Sequence, residues 1–95
     1  NIIFMKYTDL GFKQEIIDDI IYREFEPTMD ENQLYWHKDA ADRLVEVVEG
    51  EGWKLQMDNE IPFTLTKNCE YFIQKETFHR LLLGKSRLIL KIKEF

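Results

Sequence analysis

The sequence predicts a single, mainly β domain of antiparallel strands, with one α-helix near its N-terminus. From Leu34 onward, apolar residues recur at every second position and turn residues interrupt them often, as in short strands. Before that point, apolar residues recur at the spacing of a helix. A chain of 95 residues has room for one domain, residues 1–95, with a helical segment over 1–33 and a small barrel or sandwich over 34–95.

The predicted helix lies in the segment GFKQEIIDDIIYREFEP. Asp18 and Asp19 separate two pairs of isoleucines, which breaks a strict alternation of apolar and polar residues. Thr8 or Asp9 would cap the helix, and Pro27 would end it. We expect its apolar stripe to pack on the sheet. The stripe consists of Phe12, Ile16, Ile17, Ile20, Ile21 and Phe25.

The remaining chain predicts about six short strands separated by turns. A strand in RLVEVVEG and a strand in WKLQMD flank the glycine-rich turn EGEG, and Trp53, Leu55 and Met57 share one face of the second strand. Pro62 interrupts a further short strand. The last strands are predicted in EYFIQ, FHRLLLG and RLILKIKEF.

Composition narrows the range of functions. The net charge of −5 disfavours nucleic-acid binding, because an acidic protein repels phosphate backbones. We expect no association with membranes, since no apolar run approaches the ~20 residues that cross a bilayer. The single cysteine, Cys69, excludes an internal disulfide. These observations lead us to expect a cytoplasmic protein.

Two segments resemble the motifs of the cupin superfamily. The stretch HKDAADRLVEVVEG is similar to the first motif, roughly G-x5-H-x-H-x3-E-x6-G, with His37 at its first histidine, Asp39 at its second and Arg43 at its glutamate. The stretch NCEYFIQKETFHRLLL is similar to the second motif, roughly G-x5-P-x-G-x2-H-x3-N, with His79 at its histidine. The resemblance covers residues 34–95 and implies a small double-stranded β-helix barrel.

The resemblance also implies a divalent metal site inside the barrel. Its ligands would be His37, Asp39 and His79, the composition of a two-histidine, one-carboxylate triad that suits iron, zinc, manganese or nickel. Arg43 departs from the family pattern, because a guanidinium stays protonated and offers no lone pair. Alternatively, the two histidines satisfy backbone groups at strand ends and an aspartate pairs with Arg43.

Three functions remain open at this stage. The first is a protein that binds a small molecule or anion in the barrel mouth, with or without a metal. The second is a metal-dependent oxygenase, isomerase or lyase. The third is a non-catalytic interaction protein with a vestigial site, and a homodimer formed through sheet edges is expected in any of these classes. The predicted ligand-binding residues are His37, Asp39, Arg43, Gln56 and His79.

Overall fold

The computed structural model describes residues 6–95, which form nine antiparallel strands and one turn of 3-10 helix over Glu31–Gln33. The strands are β1 (Lys6–Tyr7), β2 (Lys13–Ile17), β3 (Ile20–Phe25), β4 (Arg43–Glu49), β5 (Lys54–Met57), β6 (Phe63–Thr64), β7 (Glu70–Ile73), β8 (His79–Leu82) and β9 (Leu88–Glu94).

The strands form two sheets. The larger has the order β1-β2-β3-β9-β4-β7, and the smaller has the order β6-β5-β8. Strand β9 lies in the middle of the larger sheet, where it pairs with β3 on one side and with β4 on the other. The mainly β, antiparallel architecture predicted from the sequence is therefore confirmed.

The apolar core lies between the inner faces of the two sheets. Alternation along β9 directs Leu88, Leu90 and Ile92 into this core, as the sequence pattern predicts. Trp53, which immediately precedes β5, is fully buried in this core and donates its indole N–H to the carbonyl of Ser86 at 2.6 Å. This bond satisfies a polar group that would be costly to leave unpaired in the core.

The predicted N-terminal α-helix is wrong: its residues form the hairpin β2–β3 instead. Asp18 and Asp19 occupy the turn with φ angles of 50° and 66°, and a type I′ turn requires positive φ at both central residues. Ile17 then pairs with Ile20, and Ile16 with Ile21. The doubled isoleucines that suggest a helix are thus two cross-strand pairs beside a turn.

Within residues 6–95, no helix is long and apolar enough to span a membrane.

Candidate metal centre and cavity

A cavity of about 260 Å³ lies between the two sheets. The larger sheet contributes wall residues from β3, β4 and β9, and the smaller sheet contributes residues from β5 and β8. Most of the wall is apolar. Its polar residues include four of the predicted site residues, namely His37, Asp39, Arg43 and His79.

Backbone hydrogen bonds bring the two histidines together. The N–H of His37 donates to the carbonyl of His79 at 3.0 Å, and the N–H of His79 donates to the carbonyl of His37 at 2.8 Å. The ring centroids lie 4.3 Å apart in an edge-on arrangement. His79 begins β8 and is buried, because it faces the same side of the strand as Leu81, another cavity-lining residue. The bridge thus joins the segment before β4 to the smaller sheet.

Hydrogen bonds to backbone carbonyls assign the tautomer of both rings. The Nδ1 atom of His37 lies 3.1 Å from the carbonyl oxygen of Tyr35, and Nδ1 of His79 lies 2.8 Å from that of Thr77. A carbonyl oxygen only accepts hydrogen bonds, so each Nδ1 carries a proton and donates it. In the neutral ring, Nε2 is then a lone-pair donor available to a metal.

Both Nε2 atoms approach the carboxylate of Asp39. Nε2 of His79 lies 3.2 Å from Oδ2, and Nε2 of His37 lies 4.0 Å from Oδ1. Oδ2 is buried and has no hydrogen-bond partner among the described residues. The ligand atoms of the three residues all lie within 4.8 Å of one another. Three lone-pair donors this close together suit a divalent cation of the transition series.

Arg43 lies beside this group without replacing any of its members. Its Nη1 atom is 3.1 Å from Oδ1 of Asp39, and its Nε donates to Oε2 of Glu94 at 2.9 Å. The contact with Glu94 follows from strand register, because Arg43 on β4 pairs directly with Glu94 on β9. Two carboxylates therefore surround one guanidinium, which leaves one negative charge in excess.

Burial lowers the pKa of His79 below its ordinary value, and the charges of His37 and Arg43 act in the same direction. The hydrogen bond to Thr77 and the charge of Asp39 act in the opposite direction but are outweighed. The neutral imidazole is therefore favoured at neutral pH. That form is the one in which His79 can ligate a metal.

Gln56, the fifth predicted binding residue, does not line the cavity. It alternates along β5 with Leu55 and Met57, so its side chain lies on the outer face of the smaller sheet. There it accepts a hydrogen bond from Nε of Arg80 at 2.9 Å and donates to the carbonyl of Glu60 at 3.1 Å.

Arg23 is a cavity residue that the sequence interpretation misses. It lies between the buried residues Ile21 and Phe25 on β3 and shares their inward face. Burial lowers its pKa to about 10, and Arg43 acts in the same direction. The pattern of inward Ile21, Arg23 and Phe25 was readable from the sequence, but only once this segment is taken as a strand.

The sequence matches no protein-family model and no curated protein. Similarity is found among solved structures. An RmlC-like cupin from Shewanella frigidimarina shares 18% identity and a TM-score of 0.73, over 96% of this chain and 81% of that one. Drosophila melanogaster CENP-C, in its complex with CAL1, shares 12% identity and a TM-score of 0.79, over 97% of this chain and 80% of that one.

Longer enzymes are also similar to this chain over part of their length. The iron(II) form of HppE shares 14% identity and a TM-score of 0.67, over 88% of this chain. The chain spans half of the HppE chain and 35% of a chain from a study of DMSP lyases. Because all these identities are low, they report on architecture alone. The matches agree with the two-sheet topology, and the chain therefore has the cupin fold.

Proposed function

We propose that this protein binds a divalent metal ion through His37, Asp39 and His79 and a small molecule in the adjoining cavity. The observation that carries the proposal is the buried Oδ2 of Asp39, which has no hydrogen-bond partner among residues 6–95 and faces a histidine nitrogen 3.2 Å away. Two lone pairs that face each other at this distance repel unless a cation lies between them. A proton or a metal ion would supply that cation.

A proton on Nε2 of His79 is the simpler alternative. It would place an imidazolium in a buried site, and burial disfavours this charged form, as the lowered pKa of His79 indicates. A metal ion would instead be held by the neutral ring of His79 and by Nε2 of His37, which lies 4.0 Å from Oδ1 of Asp39. The convergence of three donors therefore favours the metal.

Three protein ligands leave coordination positions open for a small molecule, which is the arrangement of catalytic rather than structural sites. This supports the second candidate, a metal-dependent enzyme. A cation held there would act as a Lewis acid. The chain itself would orient its ligands through the carbonyls of Tyr35 and Thr77 and exclude water with the apolar wall.

Metal binding by purified protein tests the proposal. Protein prepared without a metal-binding tag is stripped with chelator and titrated with Zn²⁺, Mn²⁺, Ni²⁺ and, without oxygen, Fe²⁺, by calorimetry and elemental analysis. We expect one equivalent of at least one of these metals. His37→Ala, Asp39→Asn and His79→Ala are expected to lose stoichiometric binding, because each removes one of three ligands. Glu76→Gln is the matched control, since Glu76 is an exposed carboxylate paired with Lys38 outside the triad.

Arg43→Ala separates two explanations of a negative result. Metal bound only by this variant would mean that the guanidinium occupies the place of the cation, and the protein would be a metal-free binding barrel. Absence of metal from wild-type protein and all variants would contradict the proposal and favour the non-catalytic interaction role. Equal binding by wild-type protein and His79→Ala would show that the metal lies elsewhere.

A further inference from the structure

Two arginines line the cavity, and their surroundings differ. Arg43 is flanked by the carboxylates of Asp39 and Glu94, at 3.1 Å and 2.9 Å. Arg23 has no carboxylate within ion-pair distance among residues 6–95. Its Nε donates to a neutral acceptor, Oε1 of Gln14, at 2.8 Å. The cavity therefore contains one guanidinium in direct contact with two carboxylates, and a second, that of Arg23, on which the same two carboxylates act only from beyond ion-pair distance.

Two neighbours fix the position of the Arg23 side chain: Gln14 on β2, and Phe12 immediately before β2. Arg23 pairs directly with Gln14 in the strand register, which explains their hydrogen bond. The guanidinium carbon lies 4.7 Å from the ring centroid of Phe12. Stacking and the bond at Nε orient the guanidinium plane. The two Nη groups, which make the forked donor pair of arginine, donate to no acceptor in the described part of the chain.

Partial burial of a guanidinium that lacks a directly paired anion is unfavourable, and it lowers the pKa of Arg23 to about 10 although the more distant charges of Asp39 and Glu94 act in the opposite direction. The group nevertheless remains protonated at neutral pH. The carboxylate of a ligand would offset this unfavourable free energy, because its two oxygens can accept hydrogen bonds from two parallel N–H donors of the arginine.

The rest of the cavity wall limits the size and polarity of the ligand body that carries this carboxylate. Its apolar residues come from both sheets, and the volume of about 260 Å³ is at the small end for ligand sites. A bulky or strongly polar body would lose hydration without finding partners. The apolar wall includes Phe12, Phe25, Val45, Leu55, Ile73 and Leu90.

We propose that the cavity binds a small organic acid whose carboxylate pairs with the Nη groups of Arg23 and whose apolar body packs against this wall. The inference rests on the proposed ligand-binding role of the cavity and names its class of ligand. The metal ion, where bound, adds positive charge to the same cavity and favours an anionic ligand further.

Binding of hexanoate and benzoate, measured by calorimetry and by ligand-observed NMR, tests this inference. Hexanol and hexylamine serve as probes that keep the apolar body and change the head group. We expect the acids to bind more tightly than the alcohol and the amine. Arg23→Gln is expected to weaken acid binding about tenfold or more and to leave hexanol binding unchanged, because only the charged hydrogen bonds are lost.

Arg80→Gln is a closely matched control. Its Nε also donates to a glutamine, Gln56, at 2.9 Å, and its guanidinium carbon also lies 4.7 Å from an aromatic ring centroid, that of Trp36. Arg80 does not line the cavity between the sheets. Acid binding is therefore expected to be unchanged in this variant. Because Arg23 is partly buried, Arg23→Lys and Arg23→Met are made as well, and circular dichroism establishes that each is folded.

The expected order of acid affinity is wild type, then Arg23→Lys, then Arg23→Met and Arg23→Gln, since lysine keeps the charge without the forked geometry. Equal acid affinity in wild type and Arg23→Gln would overturn the inference. So would equal affinity for hexanoate and hexanol, or no binding of any acid by wild-type protein.

Separate titrations with and without metal distinguish this inference from the proposed metal site. Acid binding that depends on Arg23 in chelator-treated protein supports the organic acid even if no metal is ever bound. Acid binding that occurs only with metal and is unaffected by Arg23→Gln would place the carboxylate on the metal, which overturns the role of Arg23 and leaves the metal proposal intact.

Discussion

At the scale of the residue, the two oxygens of Asp39 have different surroundings. Oδ1 lies 3.1 Å from Nη1 of Arg43, whereas the buried Oδ2 lies 3.2 Å from Nε2 of His79 and accepts no hydrogen bond from the residues that the structure describes. Arg43 therefore orients the carboxylate by one oxygen and leaves the other for the proposed cation. Because Glu94 also pairs with Arg43, the arginine does not add an unbalanced positive charge to the site.

Gly84 shows a different constraint on a single residue. A Cβ at this position would lie 2.5 Å from the backbone nitrogen of the fully buried Trp53 and would also meet its indole ring. We expect Gly84→Ala to lower the free energy of unfolding by about 3 kcal/mol, because neither the backbone nor the core can give way easily. Urea unfolding followed by tryptophan fluorescence measures this loss.

Gly52→Ala provides the comparison for this prediction. A Cβ there would first meet the flexible Lys85 side chain, at 3.2 Å, so the main cost is the positive φ of 81°. We expect a loss of about 1 kcal/mol. A smaller loss for Gly84→Ala than for Gly52→Ala would contradict the close approach of Gly84 and Trp53.

The residues of the candidate site were predictable from the sequence where their positions depend on short spacings along the chain. His37 and Asp39 are two positions apart, and the motif resemblance added His79, so the sequence indicated the triad that the structure groups within 4.8 Å. The position of Gln56 outside the cavity could have been predicted, because Gln56 alternates along its strand with Leu55 and Met57. Glu94 was not predictable as the partner of Arg43, since that contact depends on how β4 and β9 align.

At the scale of the element, the hairpin β2–β3 shows how a turn can override an apparent helical period. Apolar doublets on both sides of two aspartates satisfy a helical stripe and a two-residue hairpin equally well. Asx residues tolerate the left-handed conformation, and both turn aspartates adopt it, with φ of 50° and 66°. The choice depends on the strand β9 that pairs with β3, which no local pattern reveals.

Substitutions in this turn distinguish two contributions to stability, namely the backbone strain of positive φ and the repulsion between the two aspartate charges. Replacing Asp18 and Asp19 by Asn-Gly, the favoured type I′ pair, is expected to raise the free energy of unfolding by about 1 kcal/mol. An Ala-Ala variant removes the same two charges but disfavours positive φ, so it is expected to be less stable than the wild type. Urea unfolding at constant pH compares the three proteins, and equal gains in both variants would indicate charge repulsion instead.

At the scale of the whole molecule, the sequence predicted the fold class but not the order in which the strands pair. Alternating residues predicted the six strands after residue 34, and the motif resemblance predicted the cupin fold that similar structures confirm. The order of strands in the larger sheet joins residues far apart in sequence. Such pairing depends on global packing rather than on local propensity, so the sequence pattern alone does not determine it.

The His37–His79 bridge joins the segment before β4 to β8 of the smaller sheet, and we expect a ligand at the site to strengthen it. We expect Zn²⁺, or whichever metal binds, to slow hydrogen exchange at the amides of His37 and His79, which bond to each other's carbonyls at 3.0 Å and 2.8 Å. The amide of Lys85 is the internal reference, because its bond to the carbonyl of Glu51 involves no site residue. Uniform slowing at all three amides would indicate global stabilisation without a local effect at the site.

The central position of β9 has a consequence for how the chain is made. Strands β3 and β4 leave the ribosome well before the strand that joins them, so each keeps one open edge until Leu88–Glu94 has emerged. During that interval the nascent chain presents strand edges that can pair with other chains. Glu94, one of the two carboxylates that contact Arg43, emerges at the same late moment. The central strand of the larger sheet and the Glu94 counter-ion of Arg43 therefore emerge from the ribosome together.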